Sequence, residues 1–110
     1  RHLVQRMGFT AFAIEATWPE ANALDAYVRG GPGDPAVLLS NLYFWTWNTQ
    51  EVRDMIDWMR AYNQTVPPGR QVRFFGFDMQ SPGAAIDTAA AFVRRADPPR
   101  AAEVDGAYAC

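Results

Sequence analysis

Apolar positions fall into two kinds of run along the chain. "FTAFAI" (residues 9–14) and "VRFFGF" (72–77) are short, continuous and rich in aromatic and β-branched residues, which predicts two strands. Neither alternates with polar residues, the pattern of strands in a sheet covered on both faces, usually a parallel one. Each run is followed by a carboxylate: Glu15 after the first, Asp78 after the second.

The other runs repeat at helical spacing. "RHLVQRM" reads as the end of a helix that Gly8 stops. "PEANALDAYVR" (19–29) predicts a helix with Pro19 at its first position, Glu20 at its positive end, and Ala21, Leu24 and Val28 on one face. "GGPGDP" (30–35) is turn chemistry, with Asp34 placed to cap a short helix that Pro35 opens. Val52, Met55, Ile56 and Met59, at i, i+3, i+4 and i+7, make the clearest apolar stripe, and Asn48 or Thr49 can cap that helix. Arg53 and Asp57 lie one turn apart on its polar side. "VPPGR" ends it, Ser81-Pro82 is placed to cap a helix to about Arg95, and Asp97-Pro98 to cap another. Strands alternating with helices predict an α/β fold: a mainly parallel central sheet flanked by helices. Both ends read as cut. Residues 1–110 are therefore expected to be an internal fragment of one such domain.

Composition narrows the possible chemistry. A net charge of −2 gives no reason to expect a nucleic-acid or anionic-membrane partner. All ten basic residues are Arg, which suggests a GC-rich coding sequence more than a selected surface. The single cysteine, Cys110, and the single histidine, His2, cannot build a Cys/His metal cluster. No apolar stretch approaches a membrane span and no signal peptide is visible, so the expected location is cytoplasmic. The oligomeric state is not legible.

In parallel α/β sheets the C-terminal strand ends open onto the binding crevice. Glu15 and Asp78 are expected to share that mouth, with Gln80 on its rim. Two carboxylates there can divide into acid and base, orient a histidine or bind a metal. They can equally be an ion-pair partner (Glu15) and the opening of a turn (Asp78). Gly76, inside a strand, signals a bulge or a close backbone approach. "YFWTW" (43–47) is open to two readings, a wall for a large apolar ligand or core packing between helices. No Walker, dinucleotide, zinc-protease or serine-hydrolase motif is present.

"GFTAFAIEA", "NALDAYVRGG", "FWTWNTQEVRDMIDWMRAYNQ" and "VRFFGFDMQSP", in that order, resemble the erythromycin esterase family, which includes succinoglycan-biosynthesis-related proteins. The similarity covers most of residues 3–82. It implies an α/β hydrolase with a deep cleft that opens ester bonds, in one branch the lactone of macrolide antibiotics, a resistance activity. It implies that Glu15 matches an active-site glutamate cooperating with histidines that precede Arg1 and follow Cys110 in the family pattern. The implied mechanism is attack by activated water, with Glu15 orienting a histidine or the water from a partly buried position. No cofactor is implied and metal dependence is left open. Asp78 and Gln80 are weaker substrate-binding candidates, with no family role to transfer. A non-catalytic accessory of a polysaccharide pathway, on the same fold, is the alternative.

Overall fold

The structure, a computed structural model, describes residues 1–80 and 82–108. It divides into two compact units, Arg1–Met79 and the residues from Gln80 onward. In the first, helix α1 (His2–Met7) is followed by strand β1 (Ala11–Thr17) and helices α2 (Trp18–Val28), α3 (Pro35–Ser40) and α4 (Gln50–Asn63). Strand β2 (Arg73–Asp78) completes the unit. Gly8 ends α1 at φ 75°, the left-handed position that glycine occupies without strain. Asp34 caps α3 by accepting the Ala36 N–H at 2.8 Å. Thr49, rather than Asn48, caps α4 through the Val52 N–H.

β1 and β2 pair in parallel, Ala11 opposite Arg73 and Ile14 opposite Gly76, as their apolar composition predicts. The helix α2 packs on the sheet and α4 on α2. Ile14, Leu24, Val28, Ile56, Met59 and Phe74 form the centre of the core. Ala21, Leu24 and Val28 are all buried, and the α4 stripe supplies Ile56 and Met59, with Val52 and Met55 packed beside them. Among the described residues the helices cover one face of the sheet, while Ala11, Ala13 and Phe77 are exposed. Ile14, Ala16, Phe74 and Gly76 take the buried positions, and successive strand residues alternate between faces.

Three side chains tie these layers together. The Asp25 carboxylate accepts two-pronged hydrogen bonds from Arg73 (2.8–3.0 Å) and a third from the Phe74 N–H (2.9 Å). The Asn63 amide accepts the Val72 N–H and donates to the carbonyls of Val72 and Val28. Arg60 lies over the Tyr27 ring at 4.3 Å and donates to the carbonyls of Tyr27, in the last turn of α2, and of Gly30 and Gly31 in the loop after it. Asp57 accepts the Tyr27 hydroxyl at 3.0 Å, a pairing across helices that takes the place of the expected one with Arg53.

Gly76 is a site of close approach. A Cβ there would stand 2.3 Å from the Ala16 carbonyl oxygen and 2.8 Å from the Ala21 Cβ. Gly76→Ala is therefore expected to destabilise the fold by about 1–3 kcal/mol, the usual cost of overpacking. A lower urea midpoint would show it. An unchanged midpoint would mean that β1 moves aside at no cost.

The second unit holds α5 (Gly83–Ala96), a tight turn at Pro98–Arg100 and α6 (Ala101–Ala107). Arg94 pairs with Asp105 at 2.5 Å between the two helices, an exposed contact of small energetic weight. The predicted helix after Asp97-Pro98 begins three residues later than expected, behind that turn. Ser81, expected to cap α5, lies outside the described residues.

Candidate active site

The C-terminal end of the parallel pair is built around an irregularity. Ile14 is opposite Gly76 and Thr17 opposite Asp78, so Glu15 and Ala16 face the single residue Phe77. One extra residue in β1 makes this a β-bulge, a device that bends a strand and re-aims a side chain. Glu15 therefore sits inside β1, two residues before its end, and not beyond the strand as its sequence context predicts. It is exposed, contrary to the expected partial burial. Ile14 and Ala16 on either side occupy buried positions, which leaves the carboxylate between them to the open face.

Trp47 holds this segment from outside the sheet. Its indole Nε1–H donates to the Glu15 backbone carbonyl at 2.8 Å. Trp47 closes a single 3₁₀ turn, Trp45–Trp47, so the rest of "YFWTW" is carried beside it. Tyr43 and Trp45 are exposed among the described residues, Trp45 by 84%. Tyr43 has φ 61°, an uncommon conformation for a bulky side chain. Trp18, Phe77 and Met79 are also exposed at the strand ends.

Asp78 is the last residue of β2, as expected. Its Oδ1 accepts the Met79 N–H at 2.7 Å, the turn-opening role, while its Oδ2 is buried with no partner among the described residues. Thr17, opposite it, is buried with its hydroxyl equally unpartnered. So are both carboxylate oxygens of Glu20, one turn into α2. Thr17 is the N-cap of α2, and Thr17-x-x-Glu20 has capping-box spacing, yet neither side chain makes the box. Four buried oxygens without donors are costly, about 1–3 kcal/mol each. They leave polar groups at this end of the sheet unsatisfied among the described residues.

Gln80 is exposed and belongs to the second unit, whereas Glu15 and Asp78 belong to the first. His2 is exposed on α1. Its neighbours Arg1, Leu3 and Val4 line an apolar cavity of about 180 Å³ with Ala11 and Val72, at the N-terminal ends of the strands and away from Glu15. Among the described residues no three His, Cys, Asp or Glu side chains come together to hold a metal ion. Neither Thr17 nor Glu20 stands out by composition as a site residue, and Trp47 stands out only as part of the aromatic run 43–47. The T-x-x-E pattern at 17–20 is the one local signal that marks two of them.

The same chain is matched in known proteins. A protein of Bacillus subtilis (strain 168), YbfO, whose name places it among hydrolases, is 26% identical over 92% of this chain and 22% of its own length. A solved structure of a succinoglycan biosynthesis protein superposes with a TM-score of 0.76 and 32% identity, over 97% of this chain and 26% of that one. A solved Bacillus cereus protein gives 0.69 and 30%, over 90% and 24%. The chain thus spans about a quarter of the length of these relatives. The family model described as erythromycin esterase matches residues 4–110, and the chain belongs to that family.

Proposed function

We propose that the protein hydrolyses carboxylic esters, of the macrolide-lactone type, by activated water. The observation that carries this reading is Glu15: an exposed carboxylate on a bulge at the C-terminal end of a parallel strand pair, its backbone pinned by Trp47. Family membership and the hydrolase name of one relative support it. In this reading a histidine supplied from outside these 110 residues takes a proton from water. The hydroxide attacks the ester carbonyl, and the tetrahedral oxyanion collapses with cleavage of the bond to the alkoxy oxygen, which recovers the proton. Glu15 accepts a hydrogen bond from the histidine or the water and stabilises positive charge as the imidazolium forms. The exposed aromatic residues Trp45 and Tyr43 suit an apolar substrate. Gln80 is kept as a substrate-binding candidate, and a cytoplasmic site of action goes with this reading. No helix is long and apolar enough to cross a membrane among the described residues.

Incubating the full-length protein with a macrolide and with aryl esters tests the proposal. The expected result is a macrolide product heavier by one water in the mass spectrum, or release of the phenol. No turnover of either substrate would reject the esterase reading. It would favour the accessory role in a polysaccharide pathway that the name of one structural relative raises.

A further inference from the structure

We infer that Trp47 is a positioning residue for Glu15, acting through the β-bulge. This rests on the catalytic reading of Glu15 but assigns a new role to a residue 32 positions away. In a regular ladder the partner strand fixes the direction of each residue. At a bulge one residue lacks that one-to-one partner and the ladder is locally disrupted. Here the doubled residues are Glu15 and Ala16. The approach of β1 to Gly76 fixes the Ala16–Thr17 side of the bulge, where the carbonyls of both residues crowd the glycine. The Glu15 carbonyl is fixed by the Trp47 indole at 2.8 Å. That carbonyl and the side chain share one Cα, so fixing the peptide group narrows the backbone torsions open to Glu15 and with them the directions its carboxylate can take.

The donor is itself well anchored. The Trp47 N–H donates to the Phe44 carbonyl at 3.0 Å and the Thr49 N–H donates to the Trp47 carbonyl at 3.0 Å. Thr49 in turn caps α4, so Trp47 stands three residues before a 14-residue helix whose stripe lies in the core. The indole is half-buried and Glu15 is exposed, an arrangement in which a rigid element holds a solvent-facing carboxylate in place.

The test separates the N–H from the ring. In the full-length protein, Trp47 is replaced by benzothienylalanine, an isostere with sulfur in place of N–H, and separately by Phe. A misplacement of about 1 Å can cost on the order of a hundredfold in rate. Both variants are expected to lower kcat by about ten- to a hundredfold with KM little changed, and to shift the acidic limb of the kcat–pH profile. 5-Fluorotryptophan, which keeps the N–H, is expected to retain wild-type kcat. A fall in thermal midpoint without a fall in kcat at low temperature would make Trp47 merely structural and overturn the inference, as would wild-type kcat in the benzothienylalanine protein. Glu15→Gln is run alongside. If that variant is fully active, the catalytic reading of Glu15 fails and the inference with it; if it is inactive while the isostere is active, only the inference fails.

Discussion

Replacing Glu15 by Gln should lower turnover by roughly 10²–10⁴-fold, the range supplied by a positioned acid–base group. The substitution keeps the shape of the side chain and removes its charge, so it deletes the stabilisation of a developing imidazolium while leaving one hydrogen-bond acceptor. Glu15 is exposed and forms no ion pair among the described residues. Its loss should therefore change stability by no more than about 0.5 kcal/mol, as for other surface positions. Steady-state kinetics and a denaturation curve on the same preparation check both halves. Full activity would remove Glu15 from the mechanism. A large stability loss would mean that its part is structural.

The largest stability effect should come from Asp25. Asp25→Ala removes the acceptor for Arg73 and leaves the buried Phe74 N–H without it. Breaking a fully buried pair costs about 3–5 kcal/mol, but Arg73 is 42% exposed and water takes over part of its solvation. The orphaned N–H adds about 1–3 kcal/mol, so a total of roughly 2–4 kcal/mol is expected. Burial pushes the Asp25 carboxyl up, but the hydrogen bonds from Arg73 and Phe74 and the charges of Arg73 and Arg29 outweigh it and hold it below its ordinary 3.8. A group depressed in the folded state stabilises the fold above its unfolded pKa, and that contribution is lost as pH falls through the folded value. The wild-type chain should therefore lose stability below about pH 4, and Asp25→Asn should flatten that part of the curve. Urea midpoints measured between neutral pH and pH 3 decide the point; parallel curves would remove Asp25 as the cause.

Local chemistry made the helices and the ends of the sheet legible. Gly8, Asp34-Pro35 and the stripe of α4 each act within one or two turns of their own backbone, and each stands where its type predicts. Asp78 closes β2 for the same reason, a carboxylate turning its own chain. Glu15 was legible as a residue of interest but not in its setting. The bulge depends on β1 passing over Gly76, and the two segments are some sixty residues apart in the chain. The contact of Trp47 with Glu15 and the pairing of Thr17 with Asp78 were illegible on the same ground: only the fold brings these residues close. An unbroken apolar run does not say which of its two sides these helices cover.

The side chains that tie helices to β2 also decide where the sheet is open to growth. The Arg73 N–H donates toward β1, to the Thr10 carbonyl, so the Val72 and Phe74 N–H groups point to the opposite edge. Asn63 and Asp25 occupy those two donors. A strand pairing along that edge would have to displace a buried amide and a buried carboxylate. The edge is thereby guarded against the strand-to-strand sticking that seeds aggregation.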